Sequence, residues 1–309
     1  MKAVSFIAAG LAGALALSAG CGRAIGPAPA AGPLRAAATT SILGDVVASV
    51  GGPDIALTVL LKPGQDPHSF NPAPADLAAL SKADVLFING FGLETFLSRL
   101  PAGPRLVDLS RGLTPRRMTE PHHHEDHDAD SEGGTDPHVW FDPLNVAAWT
   151  DAIRDALSAR DPAHAAGYAA RAAAYRARLL ELDAWIREQA AAIPAERRRL
   201  VADHAVLGYF ADRYGFTLAG VLVPGFSTAA EPSARDIAAL EDVIRARHIP
   251  ALFVTRTVSP ALAERVAADT GAKVALFYDG ALSGPDGPAS TYLDFMRHNV
   301  TVLVQALKE

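Results

Sequence analysis

Ten histidines are spread through the 309 residues, and they fall into three groups whose neighbours allow different chemistry. His122, His123, His124 and His127 crowd into one stretch beside Glu125, Asp126, Asp128 and Asp130. At neutral pH this tract offers unprotonated nitrogens next to anionic oxygens. Such a composition attracts divalent cations, so the four are candidate accessory ligands, with a plain acidic surface loop as the competing reading. His164, His248 and His298 lie in charged helical stretches and read as surface or capping groups. The last three stand apart. His68 follows a Pro- and Gly-rich loop, His138 lies in the Pro-bounded Asp136-Pro137-His138-Val139-Trp140-Phe141-Asp142-Pro143, and His204 ends an apolar run. Asp279, in Phe277-Tyr278-Asp279-Gly280, closes a similar run. Three neutral imidazoles and one carboxylate make an N3O shell that suits Zn(II) at about 2.0 to 2.2 Å from each ligand. For any one of the four taken alone, a buried polar group satisfied by backbone remains the alternative. A shell filled by protein leaves no position for an activated water, which argues against an enzyme. A zinc-dependent hydrolase would want three ligands, a water and a general base, and no His-Glu-x-x-His helix is present.

For these side chains to meet, four distant segments must be carried to one place, and the hydrophobic pattern shows how. From residue 34 short apolar runs alternate with helical stretches, as in parallel sheets covered by helices. The expected fold class is α/β, with two doubly wound parallel-sheet lobes joined by a long spine helix. Residues 34–142 form the N-terminal lobe, with strands over 36–40, 55–61, 85–89 and 106–109, helices over 42–50 and 74–82, and the histidine-rich loop at 119–135. Residues 143–192 are the linker and spine. A helix over 144–160 is followed by Asp161-Pro162 as N-cap and first turn, and then by a run over 163–192 broken only by Gly167. Such a run makes roughly 45 Å of helix, enough to cross a lobe. Alanine dominates it without a leucine heptad, which disfavours a coiled coil. Residues 193–309 form the C-terminal lobe, with strands over 200–203, 218–223, 251–255 and 274–277 and helices over 206–214, 233–247, 260–270 and 291–307. Ligands of open parallel sheets collect outside the carboxyl ends of the strands, which places the four candidate ligands in the cleft between lobes. A stiff spine restricts large hinge motion between them.

The net charge of −6 is local. Seven acids and no Lys or Arg lie between Glu120 and Asp136, and the remainder holds 27 acids against 28 bases. No basic field is left for nucleic acid. Residues 1–20 read as an export signal, with Lys2, an apolar run over 3–17, and Ser18-Ala19-Gly20. The mature protein is therefore expected in the periplasm, tethered by the Ala-, Pro- and Gly-rich segment 21–33. The single cysteine, Cys21, excludes a disulfide and sits where bacterial lipoproteins are acylated. Ser18 stands where a large aliphatic residue is usual, so soluble and lipid-anchored forms both remain open.

The blocks Lys62-Pro63-Gly64-Gln65-Asp66-Pro67-His68-Ser69-Phe70, 136–143, Asp203-His204-Ala205-Val206-Leu207-Gly208-Tyr209-Phe210, and Asp279-Gly280-Ala281-Leu282-Ser283 with 292–300 occur in order. In this respect the chain resembles the metal-specific (cluster A-I) solute-binding proteins of bacterial zinc and manganese ABC importers, from residue 36 to the C-terminus. The resemblance implies two lobes, a spine helix, and a metal held between them by His68, His138, His204 and Asp279. It implies Zn(II) as transported ligand, a membrane permease as partner, and a monomer. Histidine at the third position is similar to the zinc receptors, where manganese receptors tend to carry glutamate, and nitrogen-rich ligation agrees with that. The set with its histidine loop most resembles the zinc-binding AztC type, which implies loading by a periplasmic zinc chaperone. A manganese or iron receptor of the same family is the alternative. Phe253-Val254-Thr255-Arg256 departs from the family, which often has an acidic residue there, so no supporting role is expected of it. Asp203, Trp140 and Glu231 are candidates to orient or shield the site, with packing or capping as equal explanations.

Overall fold

The computed structural model describes Met1 and residues 32–100, 102–117, 134–228, 231–255 and 260–308. The expected leader, most of the tether including Cys21, and His122, His123, His124 and His127 lie outside the described residues.

Two four-stranded sheets, both wholly parallel, form the frame. In the first, β1 (Leu34–Ala38), β2 (Ile55–Val59), β3 (Val85–Ile88) and β4 (Arg105–Asp108) lie in the order β2-β1-β3-β4. In the second, β5 (Arg199–Ala202), β6 (Thr217–Val221), β7 (Ala251–Val254) and β8 (Lys273–Leu276) lie in the order β6-β5-β7-β8. Central β3 and β7 are buried at every residue, as expected of parallel strands covered on both faces. Each order reverses beside its first strand, and a crevice opens at such a point beyond the carboxyl ends.

Helix α1 (Ser41–Gly51) begins where Thr40 Oγ1 accepts from Leu43 N–H, and it buries Ile42, Leu43, Val46, Val47 and Val50. α2 (Pro74–Leu80) follows β2, and α3 (Pro143–Arg160) starts with Asp142 as N-cap and Pro143 in its first turn. The spine is α4 (Ala165–Ala191), 27 residues or roughly 40 Å long. Tyr168, Ala172, Tyr175, Leu179, Leu182 and Ile186 form its buried stripe at alternating steps of four and three. It starts later than expected, because Pro162–His164 is a separate 3-10 turn. Asp161 does not cap the helix; its carboxylate accepts from His164 Nδ1 at 2.6 Å and Tyr168 Oη at 2.8 Å.

The second lobe adds α5 (Gly208–Tyr214), α6 (Ala234–Arg247), α7 (Pro260–Thr270) and α8 (Tyr292–Lys308). α5 begins two residues beyond expectation, because residues 203–207 turn sharply beyond the carboxyl end of β5, with Val206 N–H donating to the His204 carbonyl at 2.7 Å.

One hydrophobic cluster runs through both lobes, from Val46 and Phe87 through Trp149 and Leu179 to Phe253, Phe295 and Leu303. Each lobe adds a smaller cluster on its outer face. Polar staples fix the spine at both ends. Arg171 donates to the carbonyls of Val50 and Gly51 and to Asp54, while Asp183 accepts from Arg213 at 2.7 Å and Tyr214 at 2.9 Å. A direct staple joins the lobes where Asp45 on α1 accepts from Tyr292 N–H at the start of α8, at 2.9 Å.

Candidate metal centre

His68 lies beyond β2, His204 beyond β5 and Asp279 beyond β8, while His138 opens the 3-10 turn Val139–Phe141 that leads into α3. The structure brings the three histidines together and sets Asp279 beside His204. His138 Nε2 lies 3.0 Å from His68 Nε2 and 3.3 Å from His204 Nε2. Asp279 Oδ2 is 4.0 Å from His204 Nε2. Zinc–nitrogen bonds of about 2.0 to 2.1 Å set tetrahedral edges of about 3.3 Å, so the imidazoles already stand at the spacing of ligands around one ion. Among the described residues, these three histidines are the group of His, Cys, Asp or Glu whose ligand atoms converge in this way.

The backbone explains how these side chains are aimed. Asp-Pro-His occurs twice, and in both copies the aspartate Oδ1 accepts from the histidine N–H two residues on, at 2.9 Å for Asp66 and His68 and 3.0 Å for Asp136 and His138. Asp136 Oδ1 also accepts from His138 Nδ1 at 2.8 Å. Asp203 Oδ1 does the same for His204 Nδ1 at 2.8 Å. A carboxylate on Nδ1–H fixes the tautomer and leaves the Nε2 lone pair free for a metal. Asp203 is held in turn by the backbone N–H and hydroxyl of Thr255. The segment after β7 therefore does support the centre, contrary to the expectation from its missing acid: a threonine donates to a carboxylate that belongs to another strand. Trp140 Nε1 donates to the Asp279 carbonyl at 2.8 Å, and Tyr292 Oη donates to the Trp140 carbonyl at 2.7 Å. Glu231 lies exposed and takes no such place.

Asp136 and Thr255 were missed as supports from sequence. The repeated Asp-Pro-His is the signal that could have revealed Asp136. For Thr255 no local signal exists, because its partner is 52 residues away. His164 pairs with Asp161, and His248 is the left-handed residue ending α6, so both play the minor roles expected of them. His298 packs its ring against Tyr278.

Burial dominates the electrostatics. It drives the His68 pKa down to about 3, helped by the adjacent imidazoles, and holds His138 well below its ordinary value. Burial also disfavours charge on His204, but the hydrogen bond and charge of Asp203, joined by Asp279, outweigh it and raise the pKa. Burial pushes Asp279 up to about 6, and its Oδ2 is buried with no hydrogen-bond partner. An orphaned carboxylate oxygen beside converging nitrogens costs free energy until a cation meets it. The arrangement suits a buried dication held by protein alone.

Known proteins place this geometry in context. Residues 37–306 match the family described as ZnuA, zinc-uptake complex component A, periplasmic. The manganese-binding lipoprotein MntA of Halalkalibacterium halodurans is 35% identical over 277 residues, 89% of each chain. The iron-binding protein YfeA of Yersinia pestis is 30% identical over 284 residues, 90% of this chain and 88% of its own. The solved periplasmic zinc-binding protein TroA of Treponema pallidum superposes with a TM-score of 0.79 at 29% identity, over 89% of this chain and 99% of its own. Three relatives of one architecture thus carry the names of three metals, and none is an enzyme by name. The chain belongs to the ZnuA family (cluster A-I), the periplasmic metal-binding components of ABC importers.

Proposed function

We propose that the protein is a zinc receptor: it captures Zn(II) in the periplasm through His68, His138, His204 and Asp279 and delivers it to the permease of an ABC transporter. One observation carries this reading: His138 Nε2 stands at tetrahedral-edge spacing from the Nε2 atoms of His68 and His204, and the unpartnered buried Oδ2 of Asp279 lies beside His204. Three nitrogens and one oxygen are softer ligation than the oxygen-rich sets that suit manganese. The carboxylate–histidine pairs at Asp136 and Asp203 raise ligand basicity, which favours tight binding. The relatives named for manganese and iron support a second reading, a Mn(II) or Fe(II) receptor with the same four ligands. Competition among the three ions at equal free concentration, read by native mass spectrometry, separates the two. Zinc occupancy is expected, and manganese or iron displacing zinc overturns the zinc assignment.

His122, His123, His124 and His127 serve in this reading as an accessory site that collects Zn(II) or accepts it from a periplasmic zinc chaperone, as the AztC type would. Deleting residues 122–130 is expected to lower stoichiometry or slow loading while the cleft stays tight. Loss of cleft binding in that deletion would sink the accessory role.

A further inference from the structure

Asp136 directs His138, but a carboxylate has two oxygens, and the second decides whether the first stays in place. Oδ2 faces Arg116 Nη1 at 3.4 Å. The same guanidinium donates through Nε to Asp212 Oδ2 on α5 at 2.9 Å, which spans from the first lobe to the second. Backbone contacts fix the arginine at the root of its side chain. Its N–H donates to Tyr209 Oη at 2.9 Å, its carbonyl accepts from Asp136 N–H at 2.8 Å, and Arg117 bridges antiparallel to Thr135. Space for the guanidinium is kept by Gly208, the first residue of α5. A Cβ there would collide with the Arg116 guanidinium and come within 2.6 Å of Asp136 Oδ2.

We propose that Arg116 is a positioning residue for the metal centre: it holds Asp136 Oδ2 so that Oδ1 keeps the His138 imidazole aimed into the cleft, and Gly208 preserves the gap in which it does so. This rests on the cleft being the metal site. Arg116 touches none of the four ligands and acts only through Asp136, so its effect must vanish once Asp136 can no longer pass it on. A purely structural arginine, stapling segment 114–117 to α5, has no such dependence.

The test is a double-mutant cycle on the full exported chain, with Zn(II) affinity measured by chelator competition and Co(II) absorption reporting ligand geometry. Removing an outer carboxylate typically costs about 10- to 100-fold in affinity, and Arg116, one contact further out, is expected to cost about 3- to 10-fold as Arg116→Ala. Arg116→Lys recovers part of the loss. Gly208→Ala weakens binding and shifts the Co(II) spectrum as Arg116→Ala does. In an Asp136→Asn background, Arg116→Ala adds nothing. Wild-type affinity and spectrum in Arg116→Ala, or an equal loss in both backgrounds, overturns the proposal. Should Arg116→Ala fail to fold, Arg116→Lys and Gly208→Ala decide it by the same readouts. His138→Ala retaining wild-type affinity would instead show that the cleft is not the metal site, a separate failure.

Discussion

Replacing Asp279 with asparagine should make the metal-free protein more stable and the metal-loaded protein weaker, two effects of opposite sign from one atom pair. In the free protein burial lifts the Asp279 pKa from its ordinary 3.8 to about 6. A carboxyl whose folded pKa lies above its unfolded one binds its proton more tightly in the native state. That contribution is fully present below the unfolded value, 3.8, and is lost as pH rises through about 6. At about 1.4 kcal/mol per pH unit the difference sets a ceiling of about 3 kcal/mol on what the ionised side chain costs at neutral pH. Asparagine keeps the shape without the charge. Asp279→Asn is therefore expected to stabilise the chelator-treated protein by about 1–3 kcal/mol near pH 8, and by progressively less as pH falls from about 6 to about 4. With Zn(II) present the order reverses, since the anionic ligand is gone, and affinity should drop by more than the roughly 100-fold upper range for outer-shell losses. Urea melts with chelator and with zinc, across pH, read both effects. A metal-free variant less stable than wild type at neutral pH would refute the reasoning, because the orphaned oxygen would then not be a burden.

His204→Ala should abolish tight binding while leaving the melt of the chelated protein cooperative; tight binding by that variant, read in chelator competition, would count against the shared centre. Metal affinity should fall as pH drops through about 6, because the ion must displace protons from Asp279, at about 6, and from His204, raised above its ordinary value, whereas His68 near 3 offers no competition. Proton release measured on zinc addition checks this, and an affinity flat from about pH 7.5 to about pH 5 contradicts it. Gly280→Ala should speed metal release, because its Cβ would come within 2.6 Å of Pro67 Cδ, forcing apart the loops that carry Asp279 and His68; stopped-flow transfer to a chelator reads the rate, and an unchanged rate speaks against a tight closure there. Thr255→Val removes the hydroxyl held by the buried Asp203 and should cost about 1–3 kcal/mol, measured by denaturant melts, with a stability loss near zero as the contrary result.

How much of this was visible in the chain depends on how local each cause is. His204 and Asp279 were legible because each closely follows an apolar run that forms a strand, and parallel sheets put ligands beyond such ends. His138 was legible from its Pro-bounded block. The grip of Asp136 on His138 depends on a side-chain rotation that spacing does not fix, and Arg116 reaches Asp136 from 20 residues away. Thr255 looked like a departure from pattern only because pattern records residue types and not donors. The late start of the spine has the same origin: Asp161-Pro162 is a sound N-terminal signal, but Tyr168 and His164 take the carboxylate for themselves. The spine also hid its partners, since an apolar stripe at steps of three and four suits either lobe equally.

The shared core bears on how a metal enters. A rotation of one lobe against the other would have to part a hydrophobic cluster running from α1 to α8 and break the Asp45–Tyr292 staple, a large cost for a small ion. The contacts that close the cleft are of a different kind. Asp66, which sets the His68 backbone, accepts from the Thr228 hydroxyl of the other lobe, and Pro67 rests on Gly280. Both belong to loops, and His68 alone among the three histidines is only partly buried. His138 and His204 are locked by carboxylates on their Nδ1 atoms, whereas His68 is held through its backbone. The element able to yield is therefore the loop over 62–70, so in the zinc reading His68 is the ligand expected to arrive last on capture and leave first on release. In that reading His138 and His204 stay locked by Asp136 and Asp203, and the ordering free energy of capture is confined to a single short loop.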